Sequence, residues 1–191
     1  MISVSTLEIA TLVGSDQLAR PSRASLLWSI SSRTSRASDD AAALELVNVL
    51  GFGKQAHDKE IIGAAYYAMM CRGRKWWAFH SGVDDSDRRR LAEGMMRCAE
   101  EWHEIQINWA VNGFGCHLKC AQNRDVLDAS LKIQAERDLA WYDVIGKIDA
   151  TLWGNFALKN NPCKAQITDT VGDVLYRIKS ELYDYFTDKF Y

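Results

Sequence analysis

The sequence predicts an all-α protein, a compact multi-helix bundle of about five main helices with a short helical N-terminal arm. Only two of the 191 residues are proline, so few positions force a break in a helix. Apolar residues recur at alternating spacings of four and three in long segments, which is the period of a helix that packs along a neighbour. No convincing run of alternating β-branched residues predicts a strand.

The N-terminal arm is predicted to comprise residues 1–38. A short helix ends at Gly14, and a second begins at Pro21, which suits a first helical turn. Residues 19–38 contain seven Ser, four Arg and no acid, a composition that favours a linker. Residues 39–191 then form the helical bundle domain.

Capping residues divide the bundle domain into its predicted helices. Polar residues that can accept hydrogen bonds from free backbone N–H groups precede most of the helices, and Gly ends the first two. The predicted helices run from Ser38 or Asp39 to Gly51, from His57 or Asp58 to Gly73, from Asp84 or Asp85 to about Asn112, from Arg124 or Asp125 to about Trp153, and from Thr168 to about Asp188.

Two of these segments are expected to supply much of the core. The helix that begins near Asp85 has the most regular apolar seam, and the segment after Leu139 is apolar almost all round. Both are therefore expected to be buried against neighbouring helices, and the segment after Leu139 is expected to be the most buried part of the core. The seam consists of Leu91, Met95, Cys98, Trp102, Ile105 and Trp109.

The charge distribution argues against a protein whose whole surface binds nucleic acid, because the net charge is −2 and the pI is about 6.1. Two segments are nevertheless basic. Residues 1–38 carry four Arg and two acids, and residues 71–90 carry six basic residues and three acids. The candidate nucleic-acid contacts in the first segment are Arg20, Arg23, Arg33 and Arg36.

Other features point to a cytoplasmic protein without a cofactor. Five cysteines, an odd number, favour reduced thiols, and the N-terminal residues lack the basic region of a secretory signal. No apolar run approaches the roughly 20 residues of a membrane span. There is no phosphate-binding loop and no local signature of a catalytic triad, so no enzymatic activity is predicted.

The charges of residues 71–90 fit the ends of two helices, because cations are favoured at a helix C-terminus and anions at an N-terminus. Pairs of opposite charge four residues apart then account for the arginine run, residues 88–90. The expected pairs are Asp84 with Arg88 and Asp85 with Arg89.

Two adjacent tryptophans in the same segment have no such explanation. Both cannot enter one core from a short connection, so one is expected to be buried and the other partly exposed. Trp and Arg are enriched at the hot spots of protein interfaces, and they also stack on and neutralise nucleic acid. The candidate partner-binding residues are Arg72, Arg74, Lys75, Trp76, Trp77, Phe79 and His80.

These observations predict a non-enzymatic regulatory or inhibitory protein that binds a protein or nucleoprotein partner. A first alternative is a DNA-binding regulator, because residues 5–30 resemble the first half of a helix-turn-helix, with Ala10 at the helix crossing and Gly14 at the turn. The second half departs from that motif, since Pro21 falls inside the expected recognition helix.

A second alternative is a helical ribonuclease. Arg74 precedes His80 by six positions, and Arg97 precedes His103 by the same number. Each pair resembles the Arg and His core of the HEPN-type ribonucleases, which are all-helical. This resemblance implies that one of the two histidines faces a cleft together with its Arg.

A zinc site is considered at Cys116, His117 and Cys120. Zinc needs four ligands, and the nearest upstream candidates, Cys98 and His103, lie too far back along the preceding helix. No metal site is therefore predicted.

Overall fold

The computed structural model describes residues 40–115, 121–158 and 161–187, and the regular structure within these ranges is entirely helical. The predicted all-α class is confirmed. The predicted arm, residues 1–38, lies outside the described residues. The described helices are α1 (Asp40–Gln55), α2 (Lys59–Cys71), α3 (Arg74–Trp77), α4 (Asp85–Asn112), α5 (Ala121–Glu136), α6 (Val144–Ala157), α7 (Lys164–Ser180) and α8 (Leu182–Tyr185).

The described residues divide into two compact units. The first contains residues 40–94 and 182–187, and the second contains residues 95–181. Helix α4 supplies its first ten residues to the first unit and the rest to the second. None of the helices in the described ranges combines the length and the low polarity that crossing a bilayer requires.

The first unit is built around α2, which is buried along almost its whole length after Glu60. Helices α1 and α8 pack against it. Gly63 permits the approach of α8, because a Cβ atom there would lie 2.5 Å from the backbone nitrogen of Tyr183. The ring of Tyr66 stacks on Phe186 with the centroids 5.4 Å apart. Helix α8 and Phe186 are thus part of this core.

The second unit places α6 between α5 and α7. Gly154 of α6 lies against the backbone of α5, where a Cβ atom would be 2.9 Å from the nitrogen of Ser130. The hydroxyl groups of Ser130 and Thr151 are hydrogen-bonded at 2.8 Å, which satisfies two buried polar groups at the same contact. Close backbone packing and a satisfied polar pair therefore fix α5 against α6.

The apolar seam of α4 is confirmed. Trp109 is buried, with Trp102 edge-on to it at 6.1 Å and Phe114 at 5.0 Å between centroids. Five of the six seam residues are buried, and Met95 is half-buried. A period of four and three residues is therefore sufficient to identify the buried face of this helix.

Helix α2 begins as the capping pattern predicts, since Asp58 accepts hydrogen bonds from the backbone N–H groups of Glu60 and Ile61, both at 3.1 Å. The predicted end of α1 at Gly51 is wrong, because the helix continues to Gln55. An interior Gly costs a helix about 1 kcal/mol, a cost that burial of the next residue, Phe52, offsets.

The single helix predicted from about Asp125 to Trp153 is in fact two helices. Helix α5 ends at Glu136, and Asp138 has a φ of 50°, which no helix accommodates. The side chain of Asp143 accepts a hydrogen bond from the N–H of Gly146 at 2.9 Å and so caps α6. This break explains why the described residues contain more long helices than the five predicted.

The predicted bounds of the last long helix are also wrong. Helix α7 begins at Lys164, and Thr168 lies inside it, where its hydroxyl donates to the carbonyl oxygen of Lys164 at 2.8 Å. The helix ends at Ser180 instead of continuing to about Asp188, and the short helix α8 follows after Glu181.

Candidate partner-binding site

Residues 72–83, which we call the aromatic connection, join α2 to α4 and include the short helix α3. The N–H of Gly73 donates to the carbonyl oxygen of Met70 at 2.9 Å, which closes the end of α2. Gly73 has a φ of 89°, a conformation that side chains disfavour. The chain can therefore reverse sharply here and begin α3 at the next residue.

The two tryptophans have the unequal exposure that the sequence predicts. Trp77 is 3% exposed, whereas Trp76 is partly exposed. The Trp76 ring lies against the imidazole of His80, with the centroids 4.7 Å apart. Because Nδ1 of that imidazole accepts a hydrogen bond from the N–H of Gly82 at 3.1 Å, the ring pair is tied to the turn that follows.

The most exposed large apolar side chain of the aromatic connection is Phe79, which is 85% exposed. Arg74 and Lys75 are exposed on the same short segment, and Arg72 is half-buried at the end of α2. The sequence has no acid between residues 72 and 83. The solvent-facing part of the connection is therefore aromatic and basic.

A hydrogen bond attaches the aromatic connection to the start of α4, because the carbonyl oxygen of His80 accepts from the guanidinium of Arg88 at 3.3 Å. The same carbonyl oxygen accepts from the N–H of Val83 at 3.1 Å, within the connection. Asp84 accepts from the N–H of Asp87 at 2.8 Å and thus caps the helix. That hydrogen bond is the main reason that the pKa of the Asp84 carboxyl is lowered.

The arginine run is bound differently from the prediction. Arg88 forms an ion pair with Asp85, three residues earlier, at 2.7 Å. The predicted pair with Asp84 is wrong because the Asp84 carboxylate caps the helix instead. Arg90 donates to the hydroxyl of Tyr66 at 3.3 Å. Two of the three arginines therefore contact groups within the first unit.

A buried polar network lies next to this arginine run. The carboxylate of Asp87 accepts hydrogen bonds from the hydroxyl of Tyr66 at 2.5 Å and from the ammonium of Lys54 at 2.6 Å. Burial, and then the hydrogen bond to Asp87, raise the pKa of Tyr66 far above its usual value, so the phenol stays a neutral donor. The network joins α1, α2 and the first turn of α4. The aromatic connection links α2 to α4.

The remaining sequence candidates do not assemble into a second site within the described residues. His103 is exposed on α4, and the thiol of Cys98 is buried, which raises its pKa and keeps it protonated. No group of three His, Cys, Asp or Glu side chains in the described ranges could hold a metal ion. The other candidates lie outside those ranges: Arg20, Arg23, Arg33, Arg36, Cys116, His117 and Cys120.

A second aromatic surface lies in the segment after Leu139, which the sequence predicts to be the most buried. Trp153 and Phe156 of α6 are each about half exposed, with their rings 6.3 Å apart. Arg137 lies over the Trp153 ring at 5.9 Å and Lys164 over the Phe156 ring at 5.3 Å. Helix α6 therefore buries one face in the second unit, and the side chains of Arg137 and Lys164 cover the aromatic rings on its exposed face.

A buried lysine in the second unit is likewise not anticipated by the sequence. The ammonium of Lys147 donates to the carbonyl oxygen of Trp141 at 2.7 Å and lies 5.4 Å from the centroid of the Trp102 ring. Burial lowers the pKa of this lysine, and the nearby carboxylate of Asp143 opposes that change. These contacts compensate the buried charge within the core.

The chain matches no protein-family model, no curated protein and no solved structure. Its function is therefore inferred from the side chains of the aromatic connection.

Proposed function

We propose that this protein is a regulatory or inhibitory protein that acts by docking onto a macromolecular partner through the aromatic connection, and that the partner is a protein or a nucleoprotein complex. The observation that carries the proposal is the exposure of Phe79, which is 85% accessible on a short, hydrogen-bonded segment. Partial exposure of Trp76 and the nearby cations support it.

Docking of the aromatic connection would remove apolar area from water. Transfer of a fully exposed Phe side chain into an apolar pocket is favourable by about 1.5–3 kcal/mol. Aromatic side chains that enter a pocket at the centre of an interface contribute much of the binding free energy. Phe79 has the exposure that such a contribution requires, whereas Trp77 is already buried in the chain's own core.

The aromatic connection is also ordered in the unbound protein by its own hydrogen bonds. The carbonyl oxygen of Trp76 accepts from the N–H groups of Phe79 and His80 at 3.3 and 3.1 Å, and His80 is fixed by the contacts described above. A segment that is already ordered loses less conformational entropy on binding. The buried ring of Trp77 fixes the segment to the core, while Trp76 and Phe79 on either side of it remain accessible to solvent.

Docking, and not catalysis, is the activity that we propose for this segment. Its ionisable side chains are basic residues and one imidazole, and Nδ1 of that imidazole is occupied by a backbone N–H. We place the activity in the cytoplasm, because the odd number of cysteines favours reduced thiols.

The test is site-specific photo-crosslinking in the native cell, with benzoylphenylalanine at position 79. The matched control carries the same photo-crosslinker at position 176, because Tyr176 is an aromatic residue of the second unit that is 78% exposed. A discrete crosslinked product is expected from position 79 and not from position 176. Protease and nuclease treatment then identifies the partner as protein or nucleic acid. No product from position 79, or equal products from both, would contradict the proposal.

A further inference from the structure

Resting on the function proposed above, we propose that the partner is a protein with an apolar pocket that receives Phe79 and a rim of carboxylates that faces Arg74 and Lys75. Three observations lead to this class of partner. The first is that Phe79 is exposed while the neighbouring tryptophan rings are covered, the second is that two arginines are engaged in contacts within the protein, and the third is that the exposed surface is basic.

The rings of the aromatic connection do not form a stacking platform. Single-stranded nucleic acid binds to successive aromatic rings whose faces are open. Here the Trp77 ring is buried, and the Trp76 ring lies against the imidazole of His80. Phe79 alone among these three aromatic side chains is almost fully exposed. One projecting ring fits a pocket in a protein better than it fits a row of bases.

The arginines that could neutralise phosphates are partly engaged within the protein. Arg88 contacts the carboxylate of Asp85 and the carbonyl oxygen of His80, and Arg90 contacts the hydroxyl of Tyr66. Binding to nucleic acid depends on many Lys and Arg contacts to phosphates. Among the described residues, the exposed cations of the aromatic connection are Arg74 and Lys75, and Arg89 is the exposed member of the arginine run. These are too few for such an interface.

The two exposed cations do suit the rim of a protein interface. They lie on α3, within five residues of Phe79, and no acid lies between residues 72 and 83. Charges at the rim of an interface select partners of opposite charge and accelerate association. The complementary surface therefore carries carboxylates around an apolar centre.

The test does not require the partner to be identified beforehand. Short random peptides displayed on phage are selected on the full chain and counter-selected on the Phe79→Ala variant. Enriched peptides are expected to combine an apolar centre with an excess of Asp and Glu. For the synthetic peptides, Phe79→Ala should weaken binding by at least about tenfold. Lys75→Glu should weaken it by about three- to tenfold and reduce its salt dependence.

Two variants of the second unit serve as controls, Tyr176→Ala for the aromatic change and Lys132→Glu for the charge reversal. Both side chains are exposed, so both variants should bind the peptides as the unaltered protein does. Oligothymidylate is tested in parallel as the nucleic-acid probe, and it should not bind in a manner that depends on Phe79.

Several results would overturn this inference while leaving the proposed docking function intact. They are enrichment of neutral or basic peptides, peptides that bind Phe79→Ala normally, failure to enrich any peptide, and Phe79-dependent binding of oligothymidylate. The docking function itself fails separately, when position 79 gives no specific crosslink in the cell.

Discussion

Replacing Trp109 with alanine is expected to destabilise the second unit by about 3–5 kcal/mol, as the truncation of a large buried aromatic side chain does. The ring is buried and contacts both Trp102 and Phe114, so its removal leaves a cavity that two bulky neighbours cannot fill without moving. Urea denaturation followed by far-UV circular dichroism measures the loss.

The matched control for this variant is Val111→Ala, because Val111 is an exposed residue of the same helix. Its effect should stay within about 0.5 kcal/mol. Equal stability of the two variants would show that the seam of α4 is not part of the core.

Asp87→Ala is expected to destabilise the first unit by about 3 kcal/mol, because truncating one partner of a buried ion pair leaves the other uncompensated. The Tyr66 hydroxyl and the Lys54 ammonium both lose the carboxylate that they contact. Lys54 is partly exposed and regains some hydration, so the loss lies at the lower end of the usual range for buried pairs. Thermal denaturation of the purified variant provides the measurement.

Asp85→Ala is the control for the buried network, since Asp85 lies two residues before Asp87 and its carboxylate forms an exposed ion pair with Arg88. An exposed pair of this kind contributes at most about 1 kcal/mol. If Asp85→Ala and Asp87→Ala reduced stability equally, the network around Asp87 would have no special structural role.

The parts of the fold that the sequence predicted correctly are those with a repeated signal. The seam of α4 repeats over five turns, and Asp58 stands directly before an apolar helix. The break between α5 and α6 has no such signal, because residues 137–143 contain neither Gly nor Pro. It depends on the conformation of Asp138 and the cap at Asp143, which become recognisable once the tertiary packing is known.

The candidate site was predictable to the same limited extent. Steric reasoning showed that Trp76 and Trp77 could not both be buried, and their exposures agree with that prediction. It could not show that Phe79 is the most exposed of the three, because a short connection has no period from which side-chain direction follows. The sequence does not predict the exposed pair on α6, because an apolar composition favours burial, whereas cations cover these two aromatic rings in the structure.

The central claim is that the aromatic connection docks onto a partner through Phe79. The most direct measurement is the affinity of the crosslinked partner, once purified, for the unaltered protein, for Phe79→Ala and for Tyr176→Ala. We expect Phe79→Ala to bind about 30-fold more weakly, equivalent to about 2 kcal/mol, with an unchanged melting temperature, and Tyr176→Ala to bind normally. Unchanged affinity of Phe79→Ala for that partner would contradict the claim.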